Sequence, residues 1–130
     1  MTLNDPLANA LSVVLSSEQL GRSECLVKPI STLIKSVFNV LKDSQYLGEY
    51  EEIQEGRGNH IRIHLLGTIN KCGVIKPRIS VKKDGFEKFE KRYLPAKDVG
   101  ILVVSTPLGV LPHPEAKKKG VGGRLLAYCY

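Results

Sequence analysis

The chain lacks any CxxC pair. Its three cysteines, Cys25, Cys72 and Cys129, lie far apart, so neither a zinc knuckle nor a secreted disulfide framework is indicated, and buried thiols in a reducing compartment are expected. It lacks an apolar run near the roughly 20 residues that span a bilayer, which excludes a membrane helix. The opening MTLNDPLANALSVVL lacks the positive start of a signal peptide, because Asn4 and Asp5 stand there. A cytoplasmic protein without a membrane partner is therefore expected. Internal repeats and low-complexity tracts are absent too, so a repeat array is excluded.

Catalytic and cofactor patterns are equally sparse. Ser105 is not flanked as in GxSxG, and no spacing ties His60, His64 or His113 to it. Gly120-Val121-Gly122-Gly123 follows the lysines Lys117 to Lys119 and precedes a strand, the reverse of the order in a nucleotide-binding loop. His60 and His64, four apart on a strand, could share a metal but have no third ligand in view, so a polar strand face is the better expectation. No cofactor or metal is expected.

What is present is 130 residues, 42% of them hydrophobic, enough for one modest core or two small cores without disulfides. Nineteen Lys and Arg face 13 Asp and Glu, for a net charge of +6. The sign is uneven: residues 1 to 70 carry six basic and eight acidic side chains (−2), residues 71 to 130 thirteen and five (+8). The second half is expected to attract a polyanion by counterion release.

Patterning predicts an α/β (α+β) fold in two parts, 1–69 and 70–130, the first packed against the second. Asp5-Pro6 opens a helix bearing Leu7, Leu11, Val14 and Leu15, and polar Ser16 to Ser23 reads as a loop. Cys25 to Val27 is a short strand. Ser31 caps a second helix with Leu33, Ile34, Val37, Phe38 and Leu41 inward. Tyr46 to Ile53 and His60 to Leu66 form a hairpin through the glycine-rich stretch 55–59, with Ile61, Ile63 and Leu65 covered and Arg62 and His64 wet. The N-terminal half is thus α-β-α-β-β. In the mainly β C-terminal half, Arg78 to Lys82 reads as a strand and Phe86, Phe89 and Tyr93 mark a short helix. Val99 to Ser105 is a strand ended by the turn Thr106-Pro107-Leu108-Gly109, Pro114 to Lys119 a helical turn, and Arg124 to Tyr130 the last strand.

Three features coincide near the end of the chain. Ser105 and Thr106 lie where a buried strand emerges, Lys117, Lys118 and Lys119 follow, and Gly122 and Gly123 precede the final strand. Together they suit a folded RNA; equally, the glycines and hydroxyls suit β turns alone. For Gly122 the expectation is steric access for RNA, for Gly123 a mixture of access and positive φ. Thr106 is expected to offer RNA a donor. Each of the three lysines is expected to neutralise one phosphate, together about two units of salt slope.

Gly100 to Gly123, GILVVSTPLGVLPHPEAKKKGVGG, resembles the C-terminal signature of the protein-eight family of the small ribosomal subunit: glycine, apolar strand, Ser-Thr, glycine, alanine, basic run, Gly-Gly. Asn4-Asp5-Pro6-Leu7-Ala8 resembles that family's start and Leu33 to Tyr46 its second helix, so the likeness spans the chain. Residues 70–75 and His113-Pro114-Glu115-Ala116 look like the archaeal and eukaryotic branch, on its archaeal side. The resemblance implies a structural, non-enzymatic protein that binds the central domain of small-subunit ribosomal RNA, beside neighbouring ribosomal proteins and as a monomer off the ribosome. It assigns Ser105 and Thr106 as donors and acceptors and Gly122 and Gly123 as close-approach backbone. Pro107 stands where family members often carry a third hydroxyl. A smaller contact falls near Asn4, Asp5 and the start of the second helix, with Lys28, Ser31 and Lys35. The competing class is an enzyme that holds an anionic substrate on its basic half, against which the missing acid, base and nucleophile set argues.

Overall fold

Fourteen residues, Pro6–Gln19, form α1. Leu7, Ala10, Leu11 and Val14 recur at three- and four-residue intervals and make one buried stripe. The computed structural model describes residues 6–27, 32–55, 58–76, 78–96 and 99–130, with backbone alone at 54, 55, 58 and 59. Residues 16–19 are the last turn of α1, not the start of a loop. Ser17 continues the stripe three residues after Val14 and is itself buried, so a small hydroxyl stands in an apolar position and hides the periodicity. Gly21, at φ 72°, closes the helix as its N–H donates to Glu18 O at 3.0 Å.

The remaining elements up to Lys71 are β1 (Glu24–Val27), α2 (Thr32–Asp43), β2 (Leu47–Glu55) and β3 (Gly58–Leu65). The strands form an antiparallel sheet in the order β1-β3-β2. Cys25 faces Ile63 and Val27 faces Ile61 across β1 and β3, and all four are buried with Ile34, Val37, Phe38 and Leu41 of α2. Period-two alternation turns His64 outward. His60 departs from the expected wet face: it is buried at 4% exposure.

From Cys72 onward a second unit forms: β4 (Cys72–Val74), β5 (Ser80–Val81), α3 (Phe86–Tyr93), β6 (Ile101–Thr106), β7 (Gly109–Pro112), α4 (His113–Lys119) and β8 (Gly123–Cys129). The architecture is mixed α+β. β8 is central and antiparallel to its neighbours, with β6 and then β7 on one flank and β4 and β5 on the other. Ile75, Val81, Phe86, Leu94, Leu102, Val104, Ala116 and Leu125 make its core. The strand expected over Arg78 to Lys82 contracts to two residues. β4 and β7 carry glycine or proline and are too short to show alternation, so only pairing with β8 and β6 defines them.

Candidate nucleic-acid interface

The start of β8 gathers the C-terminal candidates at one end of the sheet. Arg124 lies opposite Ser80 of β5 on one side and opposite Ser105 of β6 on the other. Directly opposed residues share a face, and all three are exposed. A guanidinium between two hydroxyls therefore looks outward from the sheet. The Ser105 hydroxyl forms no hydrogen bond among the described residues. Ser80 and Arg124 were missed in the sequence because β5 is only two residues long and the partners of β8 are 19 or more positions away; Arg124 itself was legible only as the polar first residue of a strand.

Thr106 is used differently from Ser105. At 9% exposure, its hydroxyl donates to Gly109 O at 2.7 Å and accepts from the Leu108 N–H at 3.1 Å, so it ties the β6–β7 turn together. Pro107 sits exposed in that turn, and Gly109 takes φ 119°. The donor that the sequence reading offered to RNA is committed inside the turn. Thr106→Val is thus expected to leave two backbone groups without a partner and to cost about 1 to 2 kcal/mol in urea unfolding. Ser105→Ala should unfold like the parent.

Gly122 and Gly123 answer a third need, neither positive φ nor an open surface. A Cβ on Gly122 would run into the Val81 carbonyl oxygen and meet Lys82 backbone carbons at 3.0 Å; one on Gly123 would run into the Ser105 carbonyl oxygen and stand 2.8 Å from its carbon. Neither has φ in the left-handed region. The positive φ expected in part at Gly123 is corrected, and the close approach within the structure is between strands of the same sheet, as β8 enters between β5 and β6. The left-handed glycine of this segment is Gly120, φ 68°, which caps α4 as its N–H donates to Lys117 O at 3.1 Å and Val121 N–H donates to Ala116 O at 3.0 Å.

The three lysines of α4 are not equivalent. Lys117 Nζ lies 2.7 Å from Glu90 Oε1 of α3, whereas Lys118 and Lys119 are exposed and form no ion pair among the described residues. Glu90 also meets His113 Nε2 at 2.7 Å. The Leu102 N–H donates to His113 Nδ1 at 2.9 Å, so the ring's proton is assigned to Nε2, which donates to Glu90. Both ring nitrogens are engaged, which removes His113 as a base for Ser105.

Burial raises the Glu90 pKa, but the hydrogen bonds from Lys117 and His113 and the Lys117 charge outweigh it and hold the carboxyl below its ordinary range. Lys83, Asp84, Glu87 and Lys91 line the same cleft of about 570 Å3. A depressed folded pKa contributes stability that is present above the unfolded pKa and lost as pH falls through the folded one. The parent should therefore be more stable than Glu90→Gln near neutrality, with the gap closing as melts are taken below the ordinary carboxylate range.

In the N-terminal unit, Lys35 of α2 pairs with Glu52 of β2, so its charge is partly met within the chain. Asn4, Asp5, Lys28 and Ser31 lie outside the described residues. Among the described residues no group of three or more His, Cys, Asp or Glu side chains is placed to hold a metal, and no helix is long and apolar enough to cross a membrane.

The basic unit of this mixed α+β chain thus sets two exposed hydroxyls and a guanidinium side by side at one end of an antiparallel sheet. A family model described as ribosomal protein S8 matches residues 5–130. The chain belongs to that family: it is a small-subunit ribosomal protein that acts in translation, from a family of structural constituents and not of enzymes. Ribosomal RNA and ribosomal proteins of the small subunit are the partners that membership implies.

Proposed function

We propose that the chain is a primary binder of the central domain of small-subunit ribosomal RNA, supports the folding of that domain during assembly, and then stays in the particle. The observation that carries this reading is the exposed row Ser80, Arg124, Ser105, with the unpaired Lys118 and Lys119 just before it in the chain. Lysines and arginine supply a sequence-independent phosphate attraction, and serine hydroxyls can both donate to and accept from 2′-hydroxyls and base edges. Together they suit a folded RNA better than a small anion, which one cation would satisfy.

In this reading residues 70–130 are the main RNA-binding part and residues 1–69 add a smaller contact through Asn4, Asp5, Lys28, Ser31 and Lys35. Thr106, Pro107, Gly122 and Gly123 shape the surface on which Ser105 and Arg124 stand. The protein works in the cytoplasm, on the ribosome, beside neighbouring small-subunit proteins and as a monomer when free. Residues 70–75 and 113–116 favour the archaeal and eukaryotic branch of the family. Footprinting the purified chain on a central-domain RNA fragment tests the function: a compact protected region that Ser105→Ala weakens without loss of fold is expected. Protection no better than on an unrelated duplex of equal length would reject it.

A further inference from the structure

α4 is seven residues long, far below the roughly 12 to 15 at which a helix begins to hold itself in water. Its direction must come from what it is tied to. Ala116 is fully buried in the core and Gly120 closes the C-terminal end. The third tie is the chain of contacts from the Leu102 amide through His113 to Glu90 and on to Lys117.

This chain is built on the end of a strand ladder. β6 and β7 pair as far as Val103 and Pro112, and the next chain position after Pro112 is His113, whose ring takes the N–H of Leu102. His113 and Lys117 are four apart, hence on one face of α4, and Glu90 Oε1 of α3 receives both at 2.7 Å. His113 is 5% exposed at its side chain and Glu90 20%, so water competes weakly for the bond between them, whereas the Lys117 side chain is 40% exposed and reaches Glu90 from the solvent side.

We infer that Glu90 is a positioning residue for RNA binding: it clamps His113 and Lys117, making Lys117 an internal strut and turning Lys118 and Lys119 outward as the phosphate-facing cations. At 3.6 residues per turn, Lys118 and Lys119 follow Lys117 by about 100° and 200° around the axis, away from the α3 side. Both are exposed and unpaired among the described residues. The run of three lysines therefore divides into one cation neutralised within the protein and two offered to a ligand. This inference rests on the RNA-binding reading above.

The test is a salt titration of binding by the full chain to the central-domain RNA fragment, with fold checked by circular dichroism at the assay temperature. Lys118→Met and Lys119→Met should each flatten the plot of log K against log salt by about 0.7 to 0.9. Lys117→Met and Glu90→Gln should keep the parent slope and bind several-fold more weakly at every salt concentration, the double variant no worse than the weaker single one. Lys117→Arg, which keeps the ion pair, should restore parent affinity and guards the test if Glu90→Gln fails to fold. A slope flattened by Lys117→Met as much as by Lys118→Met would overturn the strut, as would parent affinity in both Lys117→Met and Glu90→Gln. If Lys118→Met and Lys119→Met leave the slope unchanged, the RNA-facing reading of α4 falls and the positioning role with it.

Discussion

Gly123→Ala is expected to be among the most damaging single substitutions in the chain, lowering the melting temperature by more than about 10 °C, because overpacking against a fixed backbone costs about 3 kcal/mol and each kcal/mol moves a small unit by roughly 4 to 8 °C. The added methyl would overlap the Ser105 carbonyl and stand 3.0 Å from a Val104 methyl. Neither neighbour can withdraw. Val104 is fully buried, and Ser105 is held between β7 and β8 by register on both sides. Gly122→Ala should behave similarly through Val81 and Lys82, whereas Gly120→Ala meets nothing within 4 Å and should cost only the left-handed conformation, about 1 kcal/mol. RNA affinity should fall with stability in the first two variants and recover where folding is restored by lower temperature. A Gly122→Ala protein that melts like the parent yet binds RNA poorly would return that glycine to a ligand-approach role.

Removing the three outward charges together, as Lys118→Met, Lys119→Met and Arg124→Gln, should weaken RNA binding by about 100-fold at 0.1 M salt and flatten the salt slope by roughly 2 to 3 units, since each phosphate contact contributes about 0.7 to 0.9. Stability should change little, because none of the three is buried or ion-paired among the described residues. The comparison that gives this meaning is an equal charge change elsewhere in the same unit, at Lys88, Lys91 and Arg92 on α3. Lys88 and Arg92 lie over the rings of Phe89 and Tyr93 at 5.8 and 5.5 Å, and their loss should reduce affinity by far less if the β8 end is the interface. Equal losses from both triples would mean that the unit attracts RNA by net charge alone.

Much of the molecule was legible in the residues themselves. Strict spacing in Leu33 to Leu41 and alternation in Ile61 to Leu65 dictate a helix and a strand whatever surrounds them, since one periodicity places the apolar atoms on a single side. The apolar run from Ile101 to Val104, the turn after it and the charge step near residue 70 were readable for the same local reason. Ser17 hid the last turn of α1, and the two-residue β5 and proline-ended β7 carried too short a pattern to register. Proximity in space was not readable at all. Ser80, Ser105 and Arg124 are far apart in the chain and meet only because β8 enters between β5 and β6. Sequence counts three lysines as three equal charges, but the packing of α3 beside α4 gives one of them a carboxylate. It offers Ser-Thr as two equal hydroxyls, but the turn consumes the second. Composition and periodicity determine which elements form and how much charge they carry, because those depend on neighbours along the chain; which of those groups remain free to meet a ligand depends on neighbours across the sheet, and only the tertiary structure decides that.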